Sequence, residues 1–440
     1  MFDPVNEPSF RLDVAGLPDA FEVLAFTGNE AISEPFVFDV DLLINDPTLD
    51  LASLLYRAAF LQFEAAGNGI HGQLHELVQR EHGSSSRLCR VRLGPKLACL
   101  AQRFSQRIFS GQSVPQILGQ VLKEHGIAGK DWRLALSGEY PPRDFCTQYS
   151  ESDLQFFQRL CAEERLHYHF EHSSHGHCLI VGDGQGPSCR AQTLVFQDDS
   201  GPPALCRFEV QVSAQTAPVA RGRTDLTTLR SGQLMPLSGH PVREWNHLWR
   251  LIRVEHQGCQ DPLLPYSNTI RAVPWEAPWV ASPAVVKPKM LSLQRAWVVE
   301  VAQAQPDPSR PVAVQFDWLY QGEGAKPGHC WLPLAPELKG AAVSQWRAGA
   351  EVVVSFIEGD PDQPLITGLL RNQSAVDVVE MPQPHPTHVP PAMDGLLALL
   401  QSSEPLVLLC LLPGGGSFSH CRETICTCRA ATLLGQSGVA

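Results

Sequence analysis

The sequence has no long apolar run, no basic block and little charge of either sign. Charged residues fill 18% of its 440 positions and hydrophobic ones 44%, which excludes bulk disorder. The most apolar stretch, residues 395 to 412, is broken at Gln401-Ser402-Ser403-Glu404-Pro405. It falls short of the ~20 apolar residues that a membrane-spanning helix needs. Lys and Arg total 34 against 46 Asp and Glu, a net charge of −12. An acidic chain without a basic block matches a phosphate backbone poorly, so nucleic acid is not an expected partner. The opening residues, Met1 to Glu7, carry neither a basic n-region nor an apolar h-region. No signal peptide is expected, and the default location is the cytoplasm. The 13 cysteines, scattered from Cys89 to Cys428, read as reduced thiols that are mostly buried.

Turn formers, in contrast, are plentiful. The 36 prolines and 34 glycines favour short strands and many turns over a helical bundle. The length suits about three domains. Phe10, Leu12 and Val14 alternate with Arg11 and Asp13, as in a half-buried strand. Phe36, Phe38 and Val40 repeat this, with Val37, Asp39 and Asp41 on the other face. Two helices follow. Ser113 caps the first, with Pro115 in its opening turn, an apolar stripe of Ile117, Leu118, Val121 and Leu122, and a stop at Gly126. The second is expected to begin at Ser150, with Asp153 as its capping-box partner and Leu154, Phe157 and Cys161 inward. A hairpin then runs through Leu166 to Phe170, a turn at Ser173 to Gly176, and Cys178 to Val181.

A second compact unit begins near Leu293. Val312, Val314, Phe316 and Trp318 face one way on a strand, opposite Ala313, Gln315 and Asp317. Further strands are expected at Cys330-Trp331-Leu332, Glu351 to Phe356 and Pro364 to Thr367, with a turn from Gly359 to Pro364. About five short strands in roughly 80 residues suit a small OB-type barrel. The expected order is a first region over 1–285, with a helix-containing part at about 90–190. A barrel over 286–375, a Pro-rich linker over 376–391 and a short tail over 392–440 follow.

Chemistry finds little foothold. His167 and His169 share a strand face, with His172, His175 and His177 close by. They could ligate zinc, but no carboxylate or cysteine sits at ligand spacing with them. The reading adopted is that Leu166, Tyr168 and Phe170 face the core while the histidines face solvent or a neighbouring element. In the tail, His420, Cys421, Cys426 and Cys428, with Cys410 upstream, offer enough zinc ligands but at a spacing unlike a knuckle or ribbon. Gly414-Gly415-Gly416-Ser417 lacks the lysine of a phosphate loop, and Gly182 to Gly186 fails the dinucleotide fingerprint. His75-Glu76 is not followed by a histidine at metalloprotease spacing, and no Gly-x-Ser-x-Gly elbow occurs. Glu163-Glu164 and the turn acids Asp360 and Asp362 are expected to be solvated. No residue is assigned a catalytic, cofactor-binding or metal-binding role.

Several ordered motifs carry a family resemblance. Tyr140 to Leu154, Phe157 to Glu164, Arg107-Ile108-Phe109 with Ser113 to Leu118, and Phe170-Glu171-His172 resemble the VgrG spike proteins of type VI secretion. So do Val314 to Trp318, Cys330-Trp331, Val354 to Gly368 and Arg371-Asn372, which resemble that family's OB segment. The resemblance runs over roughly residues 8 to 373. It implies a β-rich α+β chain: a hub like that of a contractile-phage baseplate, then an OB neck. It further implies a homotrimer that docks on the Hcp tube and baseplate, carries a PAAR-type tip and effector or adaptor proteins, and leaves the cell through the apparatus. The role would be mechanical, with no enzyme activity and no cofactor. The family's long β-helix needle has no counterpart after the linker. Residues 331 to 351 also lack the family's Gly- and aromatic-rich signature, and the apolar run Leu406 to Leu412 is expected to help the tail dock a tip or cargo protein. Two alternatives stand beside this reading: a prophage contractile-tail baseplate hub, and a zinc-dependent effector using the tail Cys and His residues.

Overall fold

The computed structural model describes residues 10–370, apart from 47, 64–67, 83–85, 185–188, 197–204, 215–216, 261–265, 278–285, 302–308, 319–327 and 340–345. The expected linker and tail, with Cys410, His420, Cys421, Cys426 and Cys428, lie outside the described residues. The chain divides into two units. The first comprises Met1–Ser105, Gly111–Asp144 and Ser150–Lys287; the second comprises Gln106–Ser110, Phe145–Tyr149 and Pro288–Ala440.

Unit 1 starts with six antiparallel strands: β1 (Phe10–Val14), β2 (Phe21–Ala31), β3 (Val37–Ile44), β4 (Ala58–Phe63), β5 (Asn68–His82) and β6 (Arg87–Gly94). Their order is β1-β4-β5-β6-β3-β2, and pairing of β1 with β2 closes the barrel and removes both edges. Alternation places Phe10, Leu12, Val14, Phe38, Val40 and Leu42 inside. Phe26 stacks on Phe63 at 5.2 Å and meets Phe10 edge-on at 5.1 Å. The Phe38 ring lies so close to Gly28 that a Cβ there would come within 2.1 Å of it, which leaves room only for glycine.

The middle of the chain supplies β7 (Phe104–Phe109), α1 (Val114–Glu124), β8 (Trp132–Ala135), β9 (Cys146–Ser152), α2 (Asp153–Glu163), β10 (His167–Ser173) and β11 (Gly176–Gly182). Helix α1 begins after Ser113 and buries Ile117, Leu118, Val121 and Leu122, and Gly126 follows it at φ 71°. Helix α2 departs from expectation at its start. Ser150 belongs to β9, and the cap is Ser152, which accepts the Gln155 N–H at 3.2 Å while its own N–H donates to Gln155 Oε1 at 2.8 Å. Asp153 is occupied elsewhere, accepting from Arg103 Nε at 2.6 Å and His125 Nε2 at 2.7 Å. With the start shifted, Phe156 joins Phe157, Leu160 and Cys161 inside, and Leu154 is only half-buried.

Unit 1 ends in β12 (Leu194–Val195), β13 (Leu205–Gln211), β14 (Val219–Thr224), β15 (Leu234–Ser238), β16 (Leu248–Cys259) and β17 (Tyr266–Pro274). Strand β16 pairs with β2, and the sheet continues β16-β17-β14-β13 as a half-barrel. Phe208, Met235, Trp249, Leu251 and Ile270 pack on its inner face.

Unit 2 holds β18 (Gln294–Val298), β19 (Val312–Phe316), β20 (Cys330–Leu332), β21 (Glu351–Phe356) and β22 (Pro364–Leu370), in the order β20-β19-β18-β21-β22. Its first strand pairs with its second and fourth. A parallel bridge between Leu334 and Ile366 joins the third to the fifth. Ile366 N–H donates to Pro333 O and Ala335 N–H to Ile366 O, closing an OB-type barrel. Phe316 is buried, as expected, while Trp318 is half-buried with its ring 5.2 Å from that of Phe316. Ala313, expected outside, is only 4% exposed. The turn falls where expected and is pinned from Phe145–Tyr149, with Thr147 Oγ1 donating to Pro361 O at 2.8 Å and Thr147 N–H to Asp362 at 2.5 Å.

Candidate functional site

The histidines of β10 and β11 do not face water. Tyr168 and Phe170 point into the core as expected, but the imidazoles on the other face are covered by neighbouring strands. Only His175, in the turn, is exposed. His172 is the pivot. Its Nε2–H donates to Glu30 Oε1 at 3.0 Å and its Nδ1–H to the His71 carbonyl at 3.1 Å. Both partners accept only, so each ring nitrogen of His172 faces an acceptor. The other Glu30 oxygen accepts from His256 Nε2–H at 3.2 Å, and His256 Nδ1 accepts from the Tyr266 hydroxyl at 2.6 Å. Asn268 Nδ2 in turn donates to Tyr266 at 3.1 Å. A single neutral tautomer of His256 satisfies that chain.

Burial alone would raise the Glu30 carboxyl, but the hydrogen bonds from His172 and His256 and the charge of Arg230 outweigh it and hold it below the usual carboxylate range. Burial lowers His256 despite Glu30. Arg230 donates to the carbonyls of Thr227 and Leu229, both at 2.7 Å, and sits over the Phe63 ring at 5.5 Å. Removing one partner of a buried ion pair costs about 3–5 kcal/mol, because the remaining charge is stranded.

A second group lies beside the first. His177 Nε2 accepts the Lys96 N–H at 3.2 Å, so its Nδ1 carries the proton and donates to His71 Nδ1 at 3.1 Å. Burial, then the nearby charge of His172, lowers His177 to about 3 and His71 to about 4. Burial likewise lowers His167 to about 3 and His169 to about 4. Neutral, covered rings are structural parts. His169 and Arg230 also line a cleft of about 320 Å³ with Glu171, Cys189 and Gln233, where the thiol of Cys189 donates to Glu171 at 3.3 Å.

Glu163 and Glu164, expected to be solvated, are ion-paired instead. Arg143 reaches both at 2.6 Å, and the buried Arg159 bonds Glu151 at 2.6 Å and Glu163 at 2.8 Å. Asp362 binds Thr147, as described above, and its neighbour Asp360 accepts the Asp362 N–H at 2.9 Å. Among the described residues no three His, Cys, Asp or Glu side chains are placed to hold a metal ion. Burial raises the thiols of Cys161 and Cys330, which keeps them protonated. Sequence reasoning missed Glu30, His71, Arg230, His256 and Tyr266. Glu30 and His256 stand 226 positions apart, and no local spacing signals such a pair.

What the chain offers is therefore two β-barrels, a half-barrel and their surfaces. Known proteins with the same design have been characterised. The phage tail baseplate hub (GPD) family matches residues 29–219. The type VI secretion system spike proteins VgrG4b and VgrG5 of Pseudomonas aeruginosa are 33% and 35% identical to it. Each alignment covers 87% of this chain and 58% and 60% of the relative, so the chain spans about three fifths of their length. Among solved structures, the E. coli c3393 protein superposes with a TM-score of 0.70 at 24% identity, over 82% of this chain and 99% of that one. That protein is described as a component of the type VI secretion system, similar to the T4 bacteriophage tail proteins gp27 and gp5. Hub strands, OB connectivity and sequence identity point the same way: over 87% of its length the chain is similar to the VgrG spike proteins.

Proposed function

We propose that this chain is a structural hub and spike component of a type VI secretion apparatus. It works as a homotrimer, docks on the Hcp tube and the baseplate, and carries tip, effector or adaptor proteins. It is loaded in the cytoplasm and leaves with the apparatus. The observation that carries this reading is the joining of a hub-like unit and an OB barrel in a chain 33–35% identical to two spike proteins. The work is mechanical. Closed barrels and buried ion pairs give stiffness, and the buried thiols and imidazoles are held in unreactive forms. The test is genetic. Removing the gene from its host is expected to abolish Hcp in the culture supernatant, and restoring it in trans to return Hcp. Unchanged Hcp release, in a host with no second spike gene, would refute the proposal.

A phage-tail hub is the second reading, favoured by the baseplate-hub match over residues 29–219. Loss of tail particles, with Hcp release intact, would select it.

A further inference from the structure

The outer faces of the barrel and the half-barrel treat their arginines differently. On the barrel, two arginines of β6 lie across from carboxylates of β3: Arg92 opposite Asp39 and Arg90 opposite Asp41. Both are ion-paired, at 2.9 and 2.7 Å. On the half-barrel, Arg221 of β14 lies opposite Arg271 of β17, which lies opposite Arg253 of β16. One step along, Arg223 of β14 lies opposite Arg207 of β13. Like charges placed directly across strands repel, and this chain has 46 acidic residues from which to draw partners. Arg253 alone among these is matched, bonding Glu34 and Asn29.

Arg207, Arg221 and Arg223 are exposed and Arg271 is half-buried. Among the described residues, none of the four has an ion-pair or side-chain hydrogen-bond partner. Alternation fixes their direction: Phe208, Ala220, Ile270 and Ala272, between them in sequence, fill the inner core, so the arginines project outward. Glu209 of β13 lies directly opposite Arg221 without an ion pair between them, and Glu255 lies on β16, leaving the face with two positive charges in excess.

We propose that this face docks a carboxylate-rich extended segment of another protein. The spacing suits such a partner. Arg221 and Arg223 are two residues apart on one strand, a repeat of about 6.8 Å, and neighbouring strands are about 4.8 Å apart. Alternate carboxylates on an extended chain have the same repeat and pair with guanidinium groups in the two-pronged manner arginine favours. Nucleic acid fits less well, since the chain is net acidic and no exposed aromatic lies between these arginines for bases to stack on. A second copy of this chain fits less well too, because the carboxylates on its barrel face are already held by Arg90 and Arg92.

The test uses the full-length protein and fluorescently labelled poly-L-glutamate, read by anisotropy at low and moderate salt. The wild type is expected to bind, and the double variant Arg221→Glu/Arg271→Glu to bind at least tenfold more weakly. Lys130→Glu, an exposed charge reversal elsewhere on unit 1, is expected to leave binding unchanged. The milder Arg271→Thr is expected to keep or raise the melting temperature while weakening binding, which separates the effect from misfolding. Equal binding by wild type and double variant would overturn the proposal. So would a preference for duplex DNA over poly-L-glutamate, or a native mass that falls in the double variant, which would assign the face to self-association.

Discussion

The two closed barrels of this chain solve the same packing problem with different chemistry. Among the described residues, every buried carboxylate, guanidinium and imidazole belongs to unit 1: Glu30, Arg87, Glu151, Asp153, Arg159, Arg230, Arg250 and His256. The core of unit 2 is apolar, with Phe316, Val314, Val354, Leu332 and Ile366 at its centre. An apolar core is insensitive to protons and tolerant of small rearrangement. A core wired with charges specifies one arrangement strongly and fails when one member is lost. The hub unit thus carries nearly all the titration behaviour of the fold, and the neck barrel almost none.

Acid is the broadest way to break that comparison. The partly covered rings of His167, His169 and His177 are lowered to between about 3 and 4, while unfolded histidine titrates near ~6.5. Below that value the unfolded chain takes up protons that the folded rings refuse, so stability is full above pH ~6.5 and is lost as pH falls toward 4. Each ring contributes on the order of 1–2 kcal/mol of loss by pH 5. Unit 1 is expected to melt earlier at pH 5 than at pH 7, and the unit 2 transition to move little, as read by calorimetry or by amide exchange of each unit. Equal shifts in both units would erase the distinction.

Next in size is Glu30→Ala. It takes the carboxylate partner from both His172 and His256, and is expected to cost unit 1 about 3–5 kcal/mol in urea unfolding. A loss below about 1 kcal/mol would mean that the carboxylate is not the keystone of that network. The smallest expected effect sharpens the picture of unit 2. Gly359 sits at φ 74°, directly after Glu358 at φ 55°. Gly359→Ala forces a Cβ into the left-handed region and toward Leu291, and is expected to cost about 1–2 kcal/mol with no dependence on pH.

Much of this fold is legible in the sequence wherever the information is local. Alternation at Phe10, Leu12 and Val14, the stripe and stop of α1, and the five strands of the neck all rest on neighbours within a few residues. The start of α2 is set at Ser152, not Ser150, because Ser152 and Gln155 cap each other while Asp153 is bound to Arg103 and His125. Long-range features are not legible. Closure of the barrel through β1 and β2, the meeting of Glu30 with His256, and the arginines brought side by side on β14, β17 and β16 depend on strand register. So does the membership of Gln106–Ser110 and Phe145–Tyr149 in unit 2, since Phe145 packs in the neck core with Met290. Which element covers the histidines cannot be told from the sequence of β10 and β11 alone.

The native mass of the purified full-length chain at low micromolar concentration and moderate salt, from light scattering on a sizing column, tests the central claim most directly. The hub-and-spike account predicts a value near three times the 48.3 kDa of one chain. A mass of 48.3 kDa at every concentration up to the solubility limit would contradict it.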